Sequence, residues 1–376
     1  MIRTREAITK GNIRAIRTPE GLRVMERQSG TLVLRNKLRP PLAVALGVPG
    51  AVAHLLAEVQ VESSTCYQMD LYQADRLRTE LRRRNVDAQV VAAPDLWDLP
   101  PVFQTVLYPA PLGGERALKI DMVEQAFHVL RAQPRGLLIV LSHQENDQLF
   151  PGLLKKIFGV VHATPAIEGT VFWCHREGER LRRRHEVTFQ ACVGAGPSLR
   201  FLSRPGVFSY GRFDAGARAL VETMQIEPGD RILDVGCGCG TNGIFASRRS
   251  GPTGSVTFVD SNLRAVALVE HNARANGLSS FQATGSRVVG GLPAGSFDVV
   301  LANPPYYAQG TIAQLFIERS LVLLRPGGRF YLVTKQADQI GPLVAASFGS
   351  ATVAERRGYV VLEATAPARS ARPGTP

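Results

Sequence analysis

Residues 231–240 read Arg-Ile-Leu-Asp-Val-Gly-Cys-Gly-Cys-Gly, an apolar run that carries an acid and then glycines at 236, 238 and 240 before the helix-like stretch 241–249. An apolar strand that turns at once into a helix starts a β-α unit, and such units build parallel sheets covered by helices. The glycines let the turn take positive φ and let a ligand come close to the backbone. A second apolar strand, Ser255 to Val259, ends in Asp260, about 20 residues past the loop, where an acid accepts hydrogen bonds from ribose hydroxyls. The pair points to a nucleoside-bearing cofactor. The spacing is GxGxG, not the GxGxxG of dinucleotide sites, and Asp234 stands directly before it. A carboxylate there repels a pyrophosphate and suits the cationic amino-acid end of S-adenosylmethionine. Glycine turns without a ligand share this look, so the class rests on a second motif.

That motif is Leu301-Ala302-Asn303-Pro304-Pro305-Tyr306, placed after the strand Phe297 to Leu301, at the strand end where ligands bind in open α/β sheets. The prolines fix φ and lack N–H groups, so the Asn303 side-chain oxygen and the Pro304 carbonyl form two converging acceptors. An exocyclic amine is a double donor. Bonds from both its hydrogens turn the nitrogen lone pair toward a methyl donor, which is catalysis by positioning and local electrostatics. Tyr306 offers a face for a flipped base. Downstream, Thr311 to Leu324 has helical periodicity, Arg325 to Gly328 reads as a turn, Arg329 to Thr334 as a strand, Ala337 to Phe348 as a helix and Gly358 to Ala364 as a last strand.

The first half repeats this order. Pro134-Arg135-Gly136, the strand Leu137 to Leu141 and Ser142-His143-Gln144 line up with Pro326-Gly327-Gly328, its strand and Thr334-Lys335-Gln336, about 190 positions later. Thr170 to His175 matches the final strand, Phe103 to Leu107 matches Phe297 to Leu301, and Asp70 is matched to Asp260. The chemistry is missing from this copy. Ala45 is aligned with Asp234, Gly47-Val48-Pro49-Gly50 replaces the glycine loop, and Tyr108-Pro109-Ala110-Pro111 replaces the Asn-Pro-Pro-Tyr site. A noncatalytic copy serves RNA contact or plain scaffolding.

A length of 376 residues with 45% apolar composition fits two domains. The net charge of +12 is concentrated in residues 1–40, in Arg82-Arg83-Arg84 and in the run from Arg180 to Arg184, which suits phosphate contacts as well as plain solvated surface. The five cysteines lack zinc-site spacing, and no run is apolar enough to span a bilayer, so a cytoplasmic protein without membrane or metal is expected.

At this point the chain resembles the two-domain bacterial ribosomal RNA guanine-N2 methyltransferases, the small-subunit methyltransferase C type. The likeness rests on Pro205-Gly206-Val207-Phe208-Ser209, Asp214-Ala215-Gly216, Leu233 to Gly238, Asp260 and Asn303-Pro304-Pro305, and covers the last half of the chain well and the first loosely. It implies two tandem Rossmann-like class I methyltransferase domains, each an α/β fold with a seven-stranded mixed sheet, the N-terminal one degenerate. The expected division is 1–175 for the degenerate domain, 176–205 for a β-rich connector, 206–365 for the catalytic domain and 366–376 for a disordered tail. S-adenosylmethionine would be held by Asp234, Gly236, Gly238, Gly240 and Asp260. Where the family places a polar contact to the adenine, Gly285 stands between Thr284 and Ser286, and Ser286 is the candidate. Asn303, Pro304, Pro305 and Tyr306 would meet the target amine in ribosomal RNA or a ribosomal subunit, with direct displacement at the sulfonium methyl. Tyr after the two prolines also occurs in enzymes that methylate glutamine side chains or adenine. Alternatives are therefore a protein glutamine N5-methyltransferase, another nucleobase amino-methyltransferase, or a noncatalytic RNA-binding module.

Overall fold

The computed structural model describes residues 37–166, 169–305 and 310–368; most of the basic N-terminal segment, Tyr306 and residues 369–376 of the tail expected from 366 lie outside them. Ala366 is buried and exchanges backbone bonds with Gly327 and Gly328, so the ordered domain runs past the expected boundary. Two compact units result, one of residues up to Gln68 with Gln73–Arg183, the other of Met69–Tyr72 with Arg184 onward. Among the described residues no helix is long and apolar enough to cross a membrane.

The first unit contains strands β1 (Leu42–Ala45), β2 (Ser64–Gln68), β3 (Ala88–Ala92), β4 (Thr105–Pro109), β5 (Leu137–Ser142), β6 (His162–Ala166) and β7 (Gly169–His175). They lie in the order β3-β2-β1-β4-β5-β7-β6. Neighbours among the first five are parallel, and β7 enters antiparallel between β5 and β6. β1, β4 and β5 are buried along their whole length, which is why they read as near-continuous apolar runs. Helices α1 (Pro49–Val59), α2 (Leu71–Arg83), α3 (Arg116–Val129) and α4 (Phe150–Phe158) complete the unit. α2 buries Ala74, Leu77 and Leu81 along one face and ends in exposed Arg82 and Arg83, a favourable place for cations at the negative end of a helix.

The second unit starts with the hairpin β8 (Val187–Ala191) and β9 (Leu199–Ser203). A second seven-stranded sheet follows: β10 (Arg231–Val235), β11 (Ser255–Asp260), β12 (Phe281–Gly285), β13 (Phe297–Ala302), β14 (Leu324–Thr334), β15 (Thr352–Arg356) and β16 (Tyr359–Thr365). Its order, β12-β11-β10-β13-β14-β16-β15, repeats the first sheet strand for strand. Helices are α5 (Ala215–Thr223), α6 (Thr241–Ser250), α7 (Leu263–Ala275), α8 (Thr311–Leu323) and α9 (Ala337–Phe348). Both faces of the sheet are apolar: Ile232, Val299 and Leu301 feed one core cluster, Leu233, Val235 and Val300 the other. Strand order reverses at β10, flanked by β11 and β13, so a crevice opens beyond the carboxyl ends of these strands.

One side chain fastens the hairpin to the glycine loop. Asn272 of α7, fully buried, donates to the Leu202 carbonyl (2.9 Å) and the Cys239 carbonyl (2.9 Å) and accepts from the Leu202 N–H (2.7 Å). Asn262 donates to the Gly206 carbonyl at 2.7 Å, and the fully buried Arg264 donates to that of Pro205 at 2.6 Å. The segment Pro205 to Ser209 is thereby held by α7.

Three sequence expectations change. The turn at Arg325 to Gly328 is a bulge within β14: Leu324 pairs with Phe297 but Arg329 with Val299, and the extra residues bring Arg325 onto Asp298. Burial raises the Asp298 carboxyl, yet hydrogen bonds from Arg231 and Arg325 prevail and hold it at about 2. β15 went unread because an exposed edge strand has no apolar alternation. The backbone bonds also shift the alignment of the two copies. Leu46 N–H to Tyr67 O repeats Gly236 N–H to Val259 O, and Ala93 N–H to Gln68 O repeats Ser286 N–H to Asp260 O. Val44, not Ala45, therefore stands in the place of Asp234, and Gln68, not Asp70, in that of Asp260.

Replacing Asn272 with Ala strands three backbone groups, at a cost of about 2–4 kcal/mol. Thermal unfolding followed by circular dichroism is expected to show a lowered midpoint, and an unchanged midpoint would remove Asn272 from this role.

Candidate active site

The glycine loop leaves β10 with Gly236, Gly238 and Gly240 all at positive φ (66°, 55° and 88°), a region that side chains rarely occupy. A Cβ on Gly236 would also lie 2.9 Å from the Phe316 ring, so this turn has no room for another residue. Asp260, at the end of β11, shapes the loop from the side: one oxygen accepts from the Gly238 N–H and the other from the Asn262 N–H, both at 2.8 Å. Each oxygen keeps acceptor capacity for hydroxyls. The Ser286 N–H bonds the Asp260 carbonyl, and the Ser286 hydroxyl accepts from the Gly290 N–H at 3.1 Å. Gly285 is small for a local reason: a Cβ there would lie 2.7 Å from the Leu263 side chain.

Asp234 is fully buried, and its Oδ2 accepts from the Gly243 N–H of α6 at 2.8 Å. Burial pushes its carboxyl up to about 7, against the pull of that N–H, and burial pushes Asp260 up to about 6. Asp234 Oδ1 and Asn242 Oδ1, on either side of the loop, are buried without a partner. An unpaired buried acceptor costs about 1–3 kcal/mol, so a donor arriving there gains binding free energy. Unpaired acceptors, a carboxylate with spare lone pairs and an open backbone loop fit a cation joined to a ribose, as S-adenosylmethionine is.

The second motif lies beside the first. Val235 pairs with Ala302 across β10 and β13, so the next residues, Gly236 and Asn303, leave the sheet side by side. Pro304 is buried and Asn303 and Pro305 are partly exposed. Asn303 Nδ2 donates to Asp214 Oδ2 at 3.1 Å, and the same oxygen accepts from the Ala217 N–H at 2.8 Å, capping α5. The structure thus brings Asn303, Pro304 and Pro305 next to the glycine loop and Asp260, while Tyr306 lies outside the described residues.

Sequence reasoning passed over Gly243. Its N–H serves Asp234, and a Cβ there would lie 2.4 Å from Phe258, so it allows α6 to pack closely on β11. The signal was present, since Gly238, Gly240 and Gly243 complete a GxGxxG spacing that overlaps the GxGxG of 236 to 240. Spacing therefore does not set this loop apart from a dinucleotide site, and the distinction rests on Asp234. In this motif the last glycine serves close packing of helix on strand. Lys335, just past the end of β14, places its ammonium 4.7 Å from the centre of the Tyr359 ring. Cys237 and Cys239 are buried, and burial pushes both thiols up, Cys239 to about 12, so they are protonated packing groups. Among the described residues no three His, Cys, Asp or Glu side chains are placed to hold a metal ion.

The first unit fills the same place with its own side chains. Pro109 stands at the register of Asn303, and a Cβ on Gly47 would lie 2.7 Å from the Pro109 ring and 2.8 Å from Val52. Gln68, at the register of Asp260, donates to the Gly47 carbonyl at 3.3 Å. The basic runs also differ. Arg83 and Arg84 pair with Glu80 of α2, whereas in the exposed run from Arg180 to Arg184 the Arg180 guanidinium donates to the Lys156 carbonyl, Arg184 pairs with Glu186, and Arg182 lies 5.6 Å from the centre of the Trp97 ring.

Residues 198–363 match the model of the methyltransferase small domain. Over 192 residues the chain is 32% identical to the ribosomal RNA small subunit methyltransferase C of Pseudomonas entomophila, covering 50% of this chain and 55% of that one. Its counterpart in Chromohalobacter salexigens is 34% identical over 194 residues, 49% of this chain and 56% of the relative. The chain thus matches about half the length of these curated relatives. A solved structure, the Thermus thermophilus 16S rRNA N2 G1207 methyltransferase with AdoMet and guanosine, superposes with a TM-score of 0.74 at 24% identity, covering 94% of this chain and 93% of that one. Both seven-stranded units are therefore parts of one known tandem fold. In sequence, residues 198–363 are similar to the methyltransferase small domain, and in fold both units are similar to the tandem methyltransferase of Thermus thermophilus.

Proposed function

We propose that this protein is an S-adenosylmethionine-dependent methyltransferase acting on the exocyclic N2 amine of a guanine in ribosomal RNA, with small-subunit RNA or the assembled subunit as partner. The observation that carries this reading is the register of β10 and β13, which sets Asn303 and Pro304 beside Gly236. Its relatives, ribosomal RNA small subunit methyltransferases, supply the substrate class. The protein glutamine alternative goes with a small helical first domain, whereas the first unit is built on a seven-stranded sheet.

When bound, S-adenosylmethionine supplies the electrophile, a methyl group on a sulfonium. The protein's own residues bind and orient. Asp260 and the Gly238 loop receive the ribose, and Asp234 with Asn242 receives the ammonium. The guanine amine is a poor nucleophile because its lone pair is delocalised into the ring. Accepting both N–H bonds, at Asn303 Oδ1 and the Pro304 carbonyl, localises that lone pair and aims it out of the ring plane. The prolines hold the second acceptor without offering a competing N–H.

Asn303→Ala is expected to leave S-adenosylmethionine affinity near wild type and to lower the methylation rate by a factor on the order of 100 or more. The matching change in the first unit, Pro109→Ala, is expected to leave turnover almost untouched. Methyl transfer from labelled cofactor to ribosomal RNA measures both, and near-wild-type turnover in the Asn303 variant would sink the mechanism. Asp260→Ala is expected to weaken cofactor binding by about 1–3 kcal/mol in calorimetry; unchanged affinity would place the ribose elsewhere. The raised carboxyls give a pH dependence with a definite sign. As pH falls through about 7 and then about 6, Asp234 and Asp260 take up protons and lose their attraction for a cation. Affinity is expected to rise between about pH 5.5 and about pH 7.5, below the usual α-amino range. Asp234→Asn should flatten that rise, and an equally steep rise in the variant would assign the titration to another group.

A further inference from the structure

We infer that Asp214 is a positioning residue that fixes which end of the Asn303 amide meets the substrate. The inference rests on the role given to Asn303 above and adds a residue to which no function has been attached. An asparagine side chain is ambivalent, since one end donates and the other accepts, and a half-turn about its last bond exchanges them. In that state it would greet an amine with its own N–H groups. An ionised carboxylate only accepts, so the Asn303 atom facing Asp214 is its nitrogen, and the bond at 3.1 Å commits that end. Oδ1 is then the end presented to a donor. Selectivity for an amine over a carbonyl group at the reacting position follows from this single bond.

The surroundings hold the carboxylate to the task. The oxygen facing Asn303 also accepts from the Ala217 N–H at 2.8 Å, so the first turn of α5 fixes its position. Gly216 leaves it space: a Cβ there would lie 3.0 Å from Asp214 Oδ2 and 3.0 Å from the Tyr359 ring. The triplet Asp214-Ala215-Gly216 thus has a physical reason for both of its distinctive residues. One places the acceptor and the other lets it fit.

Helix capping and amide positioning are separable by substitution. Serine is a good N-cap but its hydroxyl is one bond shorter than a carboxylate, so Asp214→Ser keeps the bond to Ala217 and gives up the one to Asn303. Asparagine keeps an oxygen that can accept from both. Asp214→Ser is expected to retain the wild-type unfolding midpoint and S-adenosylmethionine affinity while kcat for ribosomal RNA falls about ten-fold or more. Asp214→Asn is expected to recover much of that loss. In nuclear magnetic resonance spectra of the cofactor-loaded protein, the Asn303 side-chain amide, assigned by its disappearance in Asn303→Ala, should exchange slowly in the wild type and fast in Asp214→Ser. This signal needs no RNA, so it tests the positioning even if another substrate is the true one. Wild-type kcat in Asp214→Ser, or equal amide exchange in both proteins, overturns the inference. If Asn303→Ala alone loses turnover, the proposed function survives that outcome. If the wild type methylates no guanine, the function fails while the exchange data still judge Asp214.

Discussion

Asp260 closes a loop that glycines alone would leave loose, because its two oxygens accept from the Gly238 and Asn262 N–H groups, both at 2.8 Å, and so join the turn after β10 to the turn after β11. Three successive positive-φ glycines have many conformations to choose from, and fixing one costs entropy that these bonds offset. The rest of the site inherits its geometry from that choice. Asn272 bonds the carbonyl of Cys239 in the same loop, Asp234 bonds the first turn of the helix that follows, and Phe316 packs on Gly236 from α8. A single rearrangement of the loop would disturb three helices.

The two sheets share one strand order and even small details. The Gln336 N–H bonds the Thr334 hydroxyl at the end of β14, and the Gln144 N–H bonds the Ser142 hydroxyl at the end of β5. The difference lies in what occupies the crevice. In the second unit buried acceptors remain unpaired around an open turn, whereas in the first a proline ring and a glutamine amide close over Gly47. Apolar contact and internal hydrogen bonds suit a scaffold, and unpaired polar atoms suit a ligand. The two crevices therefore differ while the strand order stays the same.

Much of this was legible in the chain itself. Fully buried parallel strands must be near-continuous apolar runs, so β10, β13 and β14 announce themselves, as does the repeat that gives β1, β4 and β5. The exposed edge strand β15 has no such pattern, and the bulge at Arg325 to Gly328 reads as a turn because proline and glycine signal a break whether the strand ends or only swells. The pairing of Gln68 with the place of Asp260 was missed by two positions. Alignment by side-chain identity finds an acid, whereas the backbone bonds follow the register.

The sequence by itself determined that strands of this order would end in a glycine loop, an acid and an Asn-Pro-Pro turn, since each is a local demand of backbone conformation or of donor and acceptor chemistry. Only the tertiary structure decided what these groups do to one another. That Asn303 turns its nitrogen to Asp214, and that Asn272 ties the hairpin to the loop, depend on contacts between residues far apart in the chain. No spacing rule contains them, because hydrogen bonding is set by distance and direction in space, and those exist only once the strands have paired.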